Sequence, residues 1–355
     1  MSKVYAPRIS RRTFVAATMA SVGSTRFAHS QGTAGDKVTL GIVNTISDAP
    51  FFIAQEKGYF REMGLNVDIE DFPSGAKMIS SLGTGQLDVS GGAVSAGLYN
   101  AAERGIPVKI VADKARNAPQ YGFQSILVRQ DLLDSGRFAA FKDLKGLKVA
   151  IPAIGSAGEQ SILNEAMKKG GLAFTECERV YLSTGDQFAG LQNKAIDVAV
   201  VSEPTVSLAE QRGIARRFAT VDTFYPDQQA AVVTFGSEFI AKRRDIGVRF
   251  MKTFIRGARA MNDAQKDGHF VGARGEEAIA IIAKYSRVKD IELLKKMTPS
   301  ACDPDGRPNL AGLEKDLELI QSLGLVGKEI RVKQIVDLSF VDAALTELGP
   351  YKHAG

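Results

Sequence analysis

The same order of strands, loops and helices occurs twice in this sequence, and this repetition limits the possible folds more than any other feature. Leu82 and Asp88 recur as Leu191 and Asp197, 109 positions later in both cases. A β-branched run, a Gly-Leu pair and a turn glycine precede them in the same order. Strands that alternate with helices predict βαβ units around a parallel sheet. Two copies of the pattern therefore predict two similar α/β lobes.

The two lobes are expected to exchange chain segments, because the pattern changes after residue 228. The first lobe is predicted from residues 36–123 and 234–355, and the second from residues 124–233. Apolar residues with helical spacing at 251–258 indicate a mostly helical C-terminal tail, which we expect to pack on the first lobe. The chain then crosses between the lobes near residues 121–126 and 229–235, and paired crossings suit a two-segment hinge.

Residues 1–30 have the features of an export signal. Arg11 and Arg12 precede a short apolar run, and Ala28 and Ser30 place small residues where a signal peptidase cleaves. Because paired arginines are typical of the twin-arginine route, we predict a twin-arginine signal peptide and export to the periplasm. Charges interrupt every later apolar stretch, so no membrane span is expected in the mature protein.

The net charge of +5 lies in the same segment, which carries five basic residues and no acidic one. The rest of the chain is formally neutral. Its densest basic run, residues 242–244, is followed at once by Asp245 and is typical of a solvated helix end. A nucleic-acid-binding protein would need a basic stripe in the body of the chain. We therefore expect no nucleic-acid partner.

Residues for catalysis or metal binding do not form any recognisable motif. Cys177 and Cys302 are predicted to be free thiols, and His269 and His353 lie at no ligand-like spacing from them. The sequence contains no phosphate-binding loop that ends in Gly-Lys-Ser/Thr and no nucleophile elbow. We expect no metal, no cofactor and no enzymatic activity, although carboxylates that pair only in the fold would keep an enzyme possible.

Loops that follow the predicted strands are the expected ligand-binding rims, because ligands bind outside the carboxyl ends of parallel strands. One rim comprises residues 44–48 and 91–95, and the other comprises residues 155–158, 184–186 and 202–204. Their small and hydroxyl residues let backbone donors approach a ligand, but such residues also cap helices. Asp48 could cap a helix or touch the solute, and Glu203 could receive a polar group or pair with an arginine.

The residues predicted to contact a ligand come from these rims and from the first crossing between lobes. They are Asn44, Thr45, Ser47, Asp48, Gly92, Ala93, Ser95, Gln124, Gly155, Ser156, Ala157, Asp186 and Glu203.

Several segments resemble the NMT1/THI5-like, SsuA-type substrate-binding proteins of ATP-binding-cassette (ABC) importers. They are residues 49–60, 64–67, 82–89, 144–152 and the Glu203-Pro204 pair, within a collinear match over about residues 37–220. The resemblance implies an α/β type II periplasmic binding protein fold with central mixed sheets. It also implies a monomer that closes over a small molecule and delivers it to an ABC permease.

The resemblance leaves the ligand and two alternative functions open. An enzymatic branch of the family makes pyrimidines with an active-site histidine and a cysteine-rich motif, and neither is present in the predicted rims. A periplasmic sensor subunit would use the same fold. We expect an organic acid or a sulfonate as ligand, because helix N-terminal donors and Ser156 can hold an acidic group. The rims contain no arginine that would require one.

Overall fold

The structure is a computed structural model that describes residues 35–353. The predicted signal peptide, residues 1–30, lies outside the described residues. Two five-stranded sheets organise the described chain. The first has the order β2-β1-β3-β10-β4, from β1 (Asp36–Ile42), β2 (Leu65–Asp71), β3 (Val89–Gly92), β4 (Lys109–Asn117) and β10 (Gln228–Phe235). The second has the order β7-β6-β8-β5-β9, from β5 (Gln124–Arg129), β6 (Lys148–Ile151), β7 (Glu178–Tyr181), β8 (Val198–Ser202) and β9 (Ala215–Thr220).

Helices flank both sheets. Those before β10 are α1 (Ala49–Glu56), α2 (Tyr59–Glu62), α3 (Gly75–Gly83), α4 (Ala96–Glu103), α5 (Gln130–Asp134), α6 (Ala157–Lys169), α7 (Thr184–Gln192) and α8 (Thr205–Gln211). The C-terminal segment adds α9 (Ser237–Lys242), α10 (Arg244–Asp263), α11 (Gly272–Tyr285), α12 (Ile291–Lys296), α13 (Leu310–Ser322), α14 (Val332–Ile335) and α15 (Ser339–Leu348). Four 3-10 turns (Ile46–Asp48, Phe141–Leu144, Phe174–Glu176, Val221–Thr223) and a short hairpin of β11 (Gln265–Lys266) and β12 (His269–Phe270) complete the described elements.

The two sheets have the same plan, which confirms the predicted pair of α/β lobes with mixed sheets. In the first sheet β1 pairs in parallel with β2 and β3, and in the second β6 pairs in parallel with β7 and β8. Each sheet also holds one antiparallel strand in its fourth position, β10 or β5, which comes directly after a crossing from the other lobe.

The repeated aspartates perform the same structural task in both lobes. Asp88 Oδ2 accepts a hydrogen bond from the backbone N–H of Thr39 at 2.9 Å, and Asp197 Oδ2 accepts one from Lys148 at 2.9 Å. Each aspartate also pairs with an arginine at 3.0 Å, Arg243 in the first lobe and Arg129 in the second. The sequence repeat therefore corresponds to a repeated link between the strands in the second and third positions of each sheet, β1 with β3 and β6 with β8.

The lobes have separate apolar cores. In the first lobe, aromatic rings fill the space between the sheet and helices α1 and α10, and the centroids of Phe51 and Phe254 lie 5.0 Å apart. In the second lobe, both faces of the sheet are buried. Ile126 and Val128 of β5 belong to one core, and Leu127 between them belongs to the other. This alternation is expected of a strand covered by helices on both sides.

The crossings between the sheets lie earlier in the chain than expected. The chain passes from β4 to β5 through residues 118–123 and from β9 to β10 through residues 221–227, because β5 and β10 already pair within their sheets. The pairing of Gln228 with Asn117 begins β10 in the first sheet, so the return precedes the predicted boundary at residue 233. No helix in residues 35–353 is both long and apolar enough to cross a membrane.

The C-terminal tail is helical, as predicted, but it does not pack on the first lobe alone. Helices α10 and α15 pack against the first lobe, whereas α13 packs against α6 of the second. Leu313 and Leu317 of α13 share an apolar cluster with Ala157, and Tyr225 donates a hydrogen bond to Asp316 at 2.9 Å. Helix α13 therefore contacts both lobes.

Candidate functional site

A cavity lies where the carboxyl ends of the parallel strands of both sheets face each other. It has a volume of about 480 Å³, including the part open to solvent. The residues that line it are Val43, Thr45, Ser47, Ser74, Gly75, Gly92, Ala93, Lys114, Phe123, Gln124, Pro152, Ser156, Glu159, Thr184, Ser202, Ala230 and Ala231. Both lobes contribute to the wall, which is the placement expected for ligands of α/β proteins.

The two lobes touch directly beside this cavity. The backbone N–H of Ala96 donates to the carbonyl oxygen of Gly155 at 2.8 Å, and the N–H of Ala157 donates to Val94 at 3.0 Å. These two bonds make Ser95 and Ser156 partners in an antiparallel β-bridge. Loop 94–96 of the first lobe and loop 155–157 of the second therefore form an interlobe bridge.

Six of the predicted ligand contacts line the cavity: Thr45, Ser47, Gly92, Ala93, Gln124 and Ser156. Three others, Ser95, Gly155 and Ala157, form the interlobe bridge next to it. These nine residues come from four separate segments of the chain. They lie together because the carboxyl ends of parallel strands meet at one edge of a sheet. Their contact with a ligand stays a prediction.

Asn44 and Asp48 are near the cavity, but their side chains have other partners. Asn44 donates to Asp71 Oδ1 at 3.1 Å and accepts a bond from the N–H of Arg287 at 2.9 Å. Asp48 is fully buried behind the wall, where its carboxylate lies 2.6 Å from Lys114 Nζ.

Asp186 and Glu203 also lie outside the cavity lining. Asp186 accepts a hydrogen bond from Ser183 at 2.5 Å at the start of α7. Glu203 is buried and pairs with Arg217 at 3.1 Å and with Ser207 at 2.8 Å, so the arginine pair considered from the sequence is the one observed. Burial raises the pKa of Glu203, while the charge of Arg217 and the bonds from Ser207 act in the opposite direction.

Lys114 is a cavity residue that sequence reasoning missed. It lies in β4 and is 1% exposed, and its ammonium group contacts Asp48 at 2.6 Å, Ser47 Oγ at 3.0 Å and the carbonyl oxygen of Gly91 at 3.2 Å. The contacts with Ser47 and Gly91 are hydrogen bonds that Lys114 donates, and the contact with Asp48 is an ion pair. The available signal was a charged pair, residues 113–114, directly after the apolar run 110–112.

Glu159 is the second charged residue of the lining, and it was also missed, because the predicted rim 155–158 ends one residue before it. It lies in the first turn of α6, is 8% exposed, and its Oε2 atom has no hydrogen-bond partner among the described residues. Burial raises the pKa of Glu159 to about 7. Its own backbone amide and the side chain of Gln124 lower the pKa, whereas the charge of Asp316 raises it.

The remaining lining residues make the cavity partly apolar and partly hydroxylic. Phe123, Pro152, Ala230 and their neighbours supply apolar surface, and Ser74, Thr184 and Ser202 supply hydroxyl groups. The lining contains no His and no Cys. Residues 35–353 contain no group of three His, Cys, Asp or Glu side chains that could hold a metal ion. The arrangement can enclose a small molecule and bind its polar groups.

Comparisons with known proteins agree with this arrangement. A profile of the NMT1/THI5-like family matches residues 46–267. The chain is 28% identical to a provisionally named binding protein of Brucella abortus (strain 2308) over 243 residues, 68% of each chain. It is 28% identical to the taurine-binding periplasmic protein of Escherichia coli (strain K12) over 179 residues, 50% of this chain and 52% of that one.

A solved structure shows the same fold. The alkanesulfonate-binding protein SsuA from Xanthomonas axonopodis pv. citri, bound to MOPS, matches with a TM-score of 0.68 and 17% sequence identity. The match covers 85% of this chain and 98% of that one. At this level of identity the similarity shows the fold alone.

Proposed function

The chain belongs to the NMT1/THI5-like family and has the predicted periplasmic binding protein fold, and from this premise we propose that it is the periplasmic solute-binding component of an ABC importer. In this role it captures a small organic molecule between its lobes and delivers it to the transmembrane subunits of the permease. It works as a monomeric binding protein without a cofactor rather than as an enzyme.

The cavity between the lobes is the observation that carries this proposal. Strand ends from both sheets line it, and the interlobe bridge closes one side. Two lobes joined by two chain crossings can rotate apart to admit a solute and close over it.

The named relatives indicate which ligand classes to test first. One is named for taurine and one solved structure for alkanesulfonates. The hydroxyl groups of Thr45, Ser47 and Ser156 line the cavity here, and hydroxyl groups can donate hydrogen bonds to sulfonate or carboxylate oxygens. We therefore propose organic acids and sulfonates as the first classes, with ureas, amines and pyrimidines beside them.

A thermal-shift screen of the protein without residues 1–30 tests the binding function. A ligand should raise the unfolding midpoint in a concentration-dependent way. At a ligand concentration of 100 times Kd, the free energy of unfolding should increase by about 2.7 kcal/mol. Ser156→Ala should weaken binding, whereas Ser322→Ala, an exposed position on α13, should leave it unchanged. If no class of compound shifts the midpoint, or if both variants bind equally, the proposed site is wrong.

Export and delivery need tests in the cell. Replacing Arg11 and Arg12 by lysine should leave the precursor in the cytoplasm if the twin-arginine route carries it. Ligand-dependent association with an ABC permease supports transport. Association only with a membrane receptor would instead support the sensor function.

A further inference from the structure

Glu159 is a buried carboxyl group in the wall of the cavity, and the described residues do not fulfil all of its hydrogen-bonding capacity. The side chain of Gln124 lies close enough to lower its pKa. The carboxamide oxygen of Gln124 is already used, because it accepts a hydrogen bond from Asn117 at 2.8 Å. The Oε2 atom of Glu159 remains without a partner among residues 35–353. A buried polar atom without a partner is costly, so its persistence at this position calls for a donor from elsewhere.

No cation of the cavity wall supplies that donor. Lys114 is the lining residue with a positive charge, and it forms an ion pair with Asp48 and donates hydrogen bonds to Ser47 and to the carbonyl oxygen of Gly91. The groups that face Glu159 from neighbouring elements are Gln124 of β5 and the acidic Asp316 of α13. The charge of Asp316 disfavours a second negative charge there. No described group therefore donates a hydrogen bond to Oε2 of Glu159, and the site has no excess of positive charge.

These contacts of Lys114 and Glu159 also argue against a purely acidic ligand. Where Glu159 is ionised, a simple carboxylate or sulfonate would place a second negative group beside it, in a cavity whose lysine is already paired with Asp48. A ligand with an N–H group would instead complete Glu159. Hydrogen bonds to a carboxylate are among the strong ones, and their loss leaves a buried charge unpaired.

We infer that Glu159 is the residue that selects the ligand, and that the ligand is a small organic molecule with an N–H donor, such as an amine, amide or amidine. This inference rests on the proposed binding function and narrows it. An acidic group elsewhere on the same molecule is compatible with the hydroxyl groups of Thr45 and Ser156. Glu159 would then bind the nitrogen group of the molecule.

Matched pairs of probes test the inference, since the members of each pair differ at the nitrogen group. We would measure binding of taurine against ethanesulfonate, β-alanine against propionate, and benzamide against benzoate, by thermal shift and calorimetry. In the wild-type protein the nitrogen member of at least one pair should bind about tenfold or more tightly than its partner. Glu159→Gln and Glu159→Ala should each remove this preference.

Glu165→Gln is the matched control, because Glu165 lies on the same helix outside the cavity lining and pairs with Lys168 and Lys315. It should keep the wild-type preference. Circular dichroism should show that all variants are folded. If acids bind as well as their nitrogen partners and Glu159→Gln changes neither, the inference fails while the binding function stands. If no probe in either class binds the folded protein, both fail.

Discussion

Lys114 and Glu159 both line the cavity, but only Lys114 has a partner of opposite charge. Its ion pair with Asp48 is almost completely shielded from water, with side-chain exposures of 1% and 0%. A buried pair of this kind contributes little net stability when intact, because desolvation offsets attraction. Removing one partner leaves the other charge buried alone, so the two residues should be energetically coupled.

Lys114→Met should therefore destabilise the protein by about 3–5 kcal/mol, measured by denaturant unfolding. The double variant Asp48→Asn, Lys114→Met should regain much of this loss, because it removes both charges. Lys295→Met, which breaks an exposed pair with Glu292, should cost less than about 1 kcal/mol. Equal effects of Lys114→Met and Lys295→Met would show that the buried pair is not coupled.

The raised pKa of Glu159 predicts a specific pH dependence of stability. An ordinary glutamate ionises near pH 4.5 and this one near 7. Between these values the folded protein keeps a proton that the unfolded chain has released, so stability falls as pH rises from about 4.5 to 7. The loss should reach about 3 kcal/mol above pH 7 if ionisation of Glu159 occurs without a ligand.

Glu159→Gln cannot ionise, so it should be more stable than the wild type at pH 8 and gain much less at pH 5. Denaturant midpoints of both proteins at the two pH values measure this. Asp113 and Asp316 have pKa values raised to about 6. Both residues therefore also make the stability of the wild type and of the variant fall as pH rises. An identical difference between wild type and variant at pH 5 and pH 8 would contradict the assignment.

At the scale of elements, the sequence predicted what depends on local patterns. The repeat of Asp88 at Asp197 predicted two equivalent lobes, and the helical spacing at 251–258 falls within α10. The rim loops could also be predicted, since strands end at turn residues. The pairing of Lys114 with Asp48 could not be predicted, because it joins two positions that only the folded sheet brings together.

The contacts of helix α13, a whole element, also could not be predicted from the sequence. Its apolar spacing predicts a helix but not the surface that it covers. In the structure it packs against α6, and its Asp316 accepts bonds from Tyr225 at 2.9 Å and Gln228 at 3.1 Å. Neither partner is near it in sequence, so α13 could not be assigned to a contact with both lobes.

The interlobe bridge offers a test at the element scale. Ala96 is the first residue of α4 and follows an extended Ser95, a position where proline is tolerated. Ala96→Pro should keep the helix but remove the hydrogen bond to Gly155. Loss of this bond should weaken ligand affinity about 2- to 10-fold and increase the radius of gyration in small-angle scattering.

Ile291→Pro is the matched control, because it places the same ring at the first residue of α12, outside the interlobe bridge. Circular dichroism should show wild-type helix content in both variants. If both proline variants bind and scatter like the wild type, the hydrogen bond between Ala96 and Gly155 does not contribute to closure.

At the scale of the whole molecule, polar side chains join the two crossings to the cavity. Asn117 donates to Gln124 at 2.8 Å and to Gln228 at 3.0 Å, and these residues lie in β4, β5 and β10 at the points where the sheets exchange strands. Gln124 also lies close enough to Glu159 to lower its pKa. A ligand that completes Glu159 would therefore act on the same network that holds the crossings.

Covalent closure across the interlobe bridge would show whether ligand entry requires the lobes to separate. Ser95 and Ser156 face each other in an antiparallel bridge, as a pair that does not exchange hydrogen bonds. Such pairs have Cα atoms about 4.5 Å apart, which a disulfide can span. Cys177 and Cys302 are buried and unpaired, so they should not compete for the new bond.

The double variant Ser95→Cys, Ser156→Cys in its reduced form is the reference, and it should bind the ligand with the lower affinity that loss of the Ser156 hydroxyl causes. After oxidation without ligand, association should slow more than about tenfold, because the lobes can no longer rotate apart at the bridge. Stopped-flow binding with the ligand from the screen measures this, and Ser95→Cys alone is the control for oxidation. If the crosslinked protein binds at the wild-type rate, the solute reaches the cavity without lobe opening, and the bridge is a fixed joint between the lobes.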